Sequence, residues 1–536
     1  MKQIAAAALI AACAATAQAQ ISQDQVLVVY DSRIPDSKAV AEFYAGSRKV
    51  PGGAGNLAGV RPLVWTVDLS TLGVPATSPG SISYADFVTR LRTPLRTFLT
   101  NNNLAFRVRC LVMTKGLPHR VQDTNNPNNA DFPTTGIGAF IPELEANDET
   151  AASVDTELTL LWQDLNNTEA GGGSDSRADG CIQNPFWRTT RSVSVINNAN
   201  IQVQKTFAPN GVGPYWAIAG AAGSPTRLGL GDLYMVARLD GRSVSAVQGI
   251  INRAQNIYIN TNTAAVLLDE DGSDLDNQGG VFSLANGGDD YELTQTAIVN
   301  DRRFSFTFPS APPNVFYDNV SGISNFFVGP QLSWNGGILR TEPVVLLASY
   351  GANHGGGVPQ TTSGGNGGIL YATSFNYAPG AIFNTIESFN GRDFGGLGQL
   401  TFAQQMQAAD FLNVGGTFAI CNVWEPLADT IPDNLQLTNL FLLGNLSWAE
   451  ASWASIPTLS WMQMSVGEPL ARCTRSNEDI DSNQRVSIDD VYAWEALPSG
   501  AAAKDINRSA TADNADRALL LNSVRASERV LMFAGR

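Results

Sequence analysis

The chain has 536 residues, a formal charge of −15 and only two histidines, His119 and His354. So acidic a balance excludes nucleic acid as the main partner, because phosphate contact needs clustered Lys and Arg. Two histidines, and cysteines at no zinc-ligand spacing, give no expectation of a histidine metal site.

Lys2, the alanine-rich apolar run 4–16 and the small-x-small tripeptide Ala17-Gln18-Ala19 have the form of a secretory signal over residues 1–19. The run is shorter than the roughly 20 residues that span a bilayer, and no later segment is apolar for long enough. The expectation is a secreted or cell-surface chain without a transmembrane anchor. Cys13 leaves with the signal. Cys110, Cys181, Cys421 and Cys473 remain where disulfides persist, and three pairings are open.

Residues 25–30 (QVLVVY) form a continuous apolar run, as a strand buried on both faces requires. A helix follows over 36–48 with Val40, Phe43 and Tyr44 on one face. Then come a strand at 63–67, a helix at 84–99 and a strand at 108–114. Beyond a long irregular stretch lie a strand at 233–237, a helix at 243–257 and a strand at 265–268. Strands at 344–349 and 417–420 bracket a helix at 402–412. This alternation predicts one large α/β domain, residues 20–472, with a mainly parallel sheet flanked by helices. Three segments read as loops by composition: 122–133, 171–180 and the glycine-rich 351–368 around His354. Residues 473–477 read as a linker, and 473–536 as a separate small module.

That module contains a repeat. An EF-type loop takes oxygen ligands at positions 1, 3, 5, 7, 9 and 12, position 7 through its backbone carbonyl. The first loop supplies Asp479, Asp481, Asn483, Arg485, Ser487 and Asp490. The second begins 26 residues later and supplies Asp505, Asn507, Ser509, Thr511, Asp513 and Asp516. Position 2 is Ile in both (Ile480, Ile506), and position 8 is apolar (Val486, Ala512). Position 6, where the turn favours glycine, holds Gln484 and Ala510. Each loop leads into a helix, over 489–497 and 515–524. The segment resembles the dockerin family, which shares Asp at position 12. The resemblance implies an all-α, EF-hand-like fold, calcium at both loops, and docking to a cohesin-type receptor or cell-surface component.

Several blocks of the large domain resemble a family of exported bacterial proteins of uncharacterised function: VLVVYDSRIPDSKAVAEFYAGSRKVP (26–51), VRCLVMTKGLPHRV (108–121), ASVDTELTLLW (152–162), YMVARLDG (234–241), GGTFAICNVWEPL (415–427) and LSWMQMSVGEPL (459–470). MVARLDG before a helix, and Gly467-Glu468-Pro469 closing a terminal strand, also look like gingipain-type cysteine peptidases of caspase-like architecture. That likeness implies a His-Gly after one core strand and a Cys after the next. His354-Gly355 and Cys421 occupy such places, which makes Cys421 the nucleophile and His354 its base and acid in that reading. Cys421 paired with Cys473, or simply buried, is the alternative; His119 follows another strand and can face the same cleft.

Asp31, Asp155, Glu157, Asp240 and Glu425 lie in or beside these blocks. They suit an acidic cleft, or capping and salt links with Arg33, Arg48 and Arg238. DEDGSDLD puts Asp269, Asp271, Asp274 and Asp276 after a strand, as in an oxygen-lined cation loop or a solvated acidic one. Trp448, Trp453 and Trp461 read as core. No G-x-S-x-G, H-E-x-x-H or phosphate-loop motif occurs. The functional expectation is an exported protein displayed through a calcium-binding C-terminus, the alternative a secreted cysteine hydrolase.

Overall fold

The computed structural model describes residues 21–122, 150–162, 182–187, 233–270, 290–300, 314–354, 371–395, 406–475 and 478–534, apart from scattered positions inside these ranges. Residues 1–19, expected as a signal segment, lie outside them.

Ten strands make one sheet: β1 Val26–Tyr30, β2 Trp65–Asp68, β3 Cys110–Thr114, β4 Met235–Leu239, β5 Ala265–Asp269, β6 Val315–Asp318, β7 Val344–Ser349, β8 Tyr377–Thr385, β9 Phe418–Asn422 and β10 Gln463–Val466. Their order across the sheet is β6-β5-β7-β8-β9-β10-β4-β3-β1-β2. Every neighbouring pair is parallel except β9 with β10, where Ala419 opposes Val466 and Cys421 opposes Met464. β1, β3, β4, β5, β7 and β9 are buried along their whole length. Apolar runs of this kind are stable only when both faces of a parallel sheet are covered. The α/β class and the mostly parallel sheet are as the strand–helix alternation implied.

Read outward from the β9/β10 boundary, one half runs β9, β8, β7, β5, β6 and the other β10, β4, β3, β1, β2. In each half the second strand is outermost and the third returns to the inner side of the first. The two halves point in opposite directions and their strand orders correspond under a pseudo-two-fold through the β9/β10 pair, with β10 joining the first half only after the second is complete.

The covering helices start where local chemistry allows. Pro35–Ala45 has proline in its first turn, where its fixed φ suits a helix and no N–H is missed. Val244–Arg253 is capped by Ser243, whose hydroxyl accepts the Ala246 N–H. Trp448–Ser455 opens on a reciprocal Ser447–Glu450 capping box. Trp448, Trp453 and Trp461 are all buried, as core; Trp448 stacks on Phe418 at 4.5 Å, and Trp453 Nε1 donates to the Val236 carbonyl at 2.7 Å. The opposite face packs Leu267, Leu347, Phe383, Phe411 and Trp461.

Several elements differ from expectation. β6 and β8 lie where no strand is expected, whereas β10 is the terminal strand expected ahead of Gly467. β8 (YAPGAIFNT) contains a proline and Gly380 at φ +92°, and its register with β7 shifts between Val344 and Leu346. Those residues punctuate a loop in most sequences. The helix expected over 84–99 continues to Asn101 through a wider turn at Phe87–Arg92. Cys473–Arg475, expected as linker, pairs in parallel with Ile257–Ile259. Near the C-terminus, helices Ile488–Ala496 and Asn514–Ala534 occur. Val486, Val491, Trp494, Ile506, Leu520 and Val524 form a separate apolar cluster there. No helix among the described residues is long and apolar enough to cross a membrane.

Candidate metal centre

The chain leaves β5 outward to β6 and returns to β7 on the other side of β5. Connections diverging from one strand open a crevice at its carboxyl end, the usual ligand position in open α/β sheets. Asp269 is the last residue of β5 and stands opposite Asp318, the last residue of β6. His354 follows β7 by five residues, after the short turn Gly351–Asn353 that begins with Gly351 at φ +50°. The ligand-capable atoms of Asp269, Asp318 and His354 all lie within 4.8 Å of one another.

Asp269 is 1% exposed. Its Oδ2 accepts the Phe327 backbone N–H at 2.7 Å. Its Oδ1 is buried with no hydrogen-bond donor and lies 4.0 Å from His354 Nε2. Asp318 repeats the pattern: one oxygen accepts from Asn325 Nδ2 at 3.2 Å, while Oδ2 is buried without a donor. Burial pushes the Asp269 carboxyl well above the ordinary carboxylate range, with the Phe327 N–H opposing and the Asp318 charge adding. Burial also raises Asp318, against the Asn325 hydrogen bond and the nearby imidazole.

A buried carboxylate oxygen without a donor costs about 1–3 kcal/mol, and two such atoms belong to carboxylates clustered with one imidazole here. A cation removes that cost. Two atoms each about 2.1 Å from one ion can be at most about 4.2 Å apart, so the Asp269–His354 separation already fits. One imidazole with two carboxylates suits zinc- or manganese-class ions. Calcium prefers six to eight oxygens and is a poor match. Three protein ligands leave a coordination position for water or substrate.

Aromatic rings wall the cluster. Phe326 meets the His354 ring edge-on at 5.3 Å and the Tyr371 ring at 5.4 Å. Tyr371 donates its hydroxyl to buried Glu387 at 2.6 Å. A Cβ on Gly351 would come within 2.3 Å of the Glu387 carboxyl. A side chain there would have to displace that buried carboxyl and would add strain at a positive φ.

Cys421 and His354 do not occupy neighbouring strands. β8 lies between β7 and β9, so the order of strands on which the dyad was assigned is not the order in the sheet. Cys421 is buried, with Gly391 and Met464 packed against it. Burial raises its thiol, the opposite of what a thiolate nucleophile needs. Cys110 and Cys473 are likewise buried thiols, and Cys181 lies outside the described residues.

His119 Nε2 stands 2.8 Å from the Arg392 carbonyl. Among the acidic residues considered for a cleft, the salt-link alternative fits what is described. Asp31 holds Arg33 at 2.7 Å, Asp155 holds Arg238 at 2.5 Å, and Asp240 holds Lys115 at 3.3 Å. Glu157 accepts the Ser460 hydroxyl at 2.5 Å. Glu425, Asp271, Asp274 and Asp276 lie outside the described residues.

Of the candidate calcium ligands, Asp479, Asn483, Arg485, Asn507 and Ser509 also lie outside. The two position-12 carboxylates are buried and alike. Asp490 Oδ2 accepts the Ser487 N–H at 2.7 Å, and Asp516 Oδ2 accepts the Asp513 N–H at 2.8 Å. Asp490 Oδ1 also accepts from Ile480 and Asp481.

Sequence reasoning reached Asp269 as a cation-loop residue and His354 as a functional one, but did not join them. Asp318 was missed, because VFYD is a four-residue edge strand with no motif around it. No family model, curated protein or solved structure matches this chain. Fold and site together define an α/β protein of one large mixed sheet, with a cluster of one imidazole and two carboxylates at the switch point of its second half.

Proposed function

We propose that this chain binds a divalent ion of the zinc or manganese class through Asp269, Asp318 and His354 and uses it for hydrolytic chemistry. The observation that carries the reading is Asp269 Oδ1, fully buried, without a donor, and aimed at an imidazole nitrogen. A bound ion would lower the pKa of coordinated water toward about 7 and polarise a carbonyl or phosphoryl oxygen. His354 then serves as a ligand rather than as the base of a cysteine. The test is zinc and manganese titration of the full chain, with hydrolysis of activated esters measured before and after chelation. Stoichiometric binding with chelator-sensitive hydrolysis is expected; hydrolysis indifferent to chelation would contradict the catalytic part.

A second reading concerns the C-terminus, and the matched Asp490 and Asp516 hydrogen bonds favour it. We read residues 473–536 as a dockerin-like, EF-hand-type calcium module that displays an exported protein on a cohesin-type or cell-surface receptor. Ile488 and Tyr492, one turn apart on the same helix, are 45% and 68% exposed, and Leu519 is 41% exposed. Apolar side chains so placed are what a docking helix presents. The gingipain-like reading of the large domain draws support from Arg238 in β4 ahead of Val244–Arg253, and from Gly467-Glu468-Pro469 directly after β10.

A further inference from the structure

The pseudo-two-fold brings a second switch point into comparison with the first. In the N-terminal half it lies between β1 and β3, and Asp31 directly follows β1 much as Asp269 ends β5. His119 lies five residues beyond β3, as His354 lies five beyond β7. These are the only histidines in the chain. Around them the pattern Leu-x-x-(Thr/Ser)-x-Gly-x-x-His recurs, at Leu111 to His119 and at Leu346 to His354. Its glycines, Gly116 and Gly351, both adopt positive φ, +89° and +50°.

The chemistry at the two places differs. Both Asp31 oxygens are taken by the Arg33 guanidinium, at 2.8 and 2.7 Å. Lys115 pairs with Asp240 and donates to the Gly241 and Gly395 carbonyls at 2.7 and 3.2 Å. His119 Nε2 meets the Arg392 carbonyl, and Arg242 pairs with Asp393 at 2.9 Å. Three groups of the first half therefore grip the segment 386–395 that follows β8. The other end of that segment abuts the metal cluster. Asn353, beside His354, donates to the Ile386 carbonyl, and Glu387 lies against Gly351.

We propose that the sheet is two copies of one five-strand arrangement, the first completed by β10 only after the second, and that the first copy's switch point, its carboxylate neutralised, positions the second copy's metal centre by holding segment 386–395. The proposal rests on the metal reading of Asp269, Asp318 and His354. His119 and Lys115 are positioning residues, acting through the segment and not on the ion.

The test is a zinc competition titration on the full chain, far below its melting temperature, with excess calcium present to occupy the C-terminal loops. Wild type should take one zinc and His354→Ala none. His119→Leu should keep one zinc with affinity weakened roughly 3- to 30-fold, the range in which distant positioning substitutions act. His119→Gln, which retains a donor for the Arg392 carbonyl, should recover most of that loss. A merely structural His119 would lower the melting temperature in chelator and leave the zinc affinity unchanged. That result, or two zinc ions bound at the two switch points, would overturn the proposal. Should His119→Leu not fold, Lys115→Met carries the same expectation. No zinc on wild type would contradict the metal reading and the proposal with it.

Discussion

His354 Nε2 stands 4.0 Å from Asp269 Oδ1, across the crevice where β5 and β7 part. Neither strand brings the pair together alone. The return of the chain past β5 does so, and it also brings Asp318 from β6. Because Asp269 Oδ1 has no donor there, the fold carries a cost that a bound ion would offset.

Asp269→Asn should therefore stabilise the chelated protein while abolishing zinc binding. Asparagine keeps an acceptor for the Phe327 N–H and offers Asp318 a donor. A gain of about 1–3 kcal/mol is expected, the usual cost of the unsatisfied atom. Equilibrium denaturation in chelator measures it. A destabilised variant would show that the carboxylate contributes to the fold.

Stability should also fall with rising pH through a second acidic pair. Asp290, buried beside Asp433 and accepting the Asn434 and Leu435 N–H groups, has its carboxyl raised well above 3.8 by burial first and by Asp433 second. A raised native pKa means that the folded chain holds the proton longer than the unfolded one. Its stabilising contribution is complete below the ordinary carboxylate pKa and is lost as pH climbs through the raised value. Asp290→Asn should flatten that decline. Denaturation midpoints at several pH values, with slopes parallel in both proteins, would refute the assignment.

The thiol of Cys421 should be inert in the native state. Its burial and raised pKa both suppress thiolate formation. Alkylation near neutral pH should be slow, become fast only on unfolding, and ignore His354→Ala. Rapid native labelling slowed by that substitution would restore the cysteine-hydrolase alternative.

Much of this fold was legible in residue order. Short runs rich in β-branched residues such as QVLVVY and VVLLAS fit strands covered on both faces, and helices between them imply parallel neighbours. The centre of the sheet was less legible. β8 carries Pro379 and Gly380 inside the strand. Missing β8 placed Cys421 one strand too near His354. Scarcity of histidine points away from a metal site, whereas the proposed site uses a single imidazole with two carboxylates from adjacent strands. Asp269 was marked for its acidic neighbourhood, whereas its distinguishing property, an oxygen without a donor, exists only once the chain is folded.

At the C-terminus, calorimetry on the full chain should detect calcium. Asp490→Ala should remove the first loop's share, since Asp490 holds position 12 of the proposed loop and accepts three backbone N–H groups. Calcium heats unchanged by Asp490→Ala would contradict the loop assignment.

The most direct measurement is the zinc affinity and stoichiometry of the full chain beside its His354→Ala variant, by competition with a chromophoric chelator in excess calcium. One zinc per wild-type chain and none on His354→Ala are expected, with both proteins folded by circular dichroism. Equal binding by the two proteins, or none by either, would contradict the metal reading.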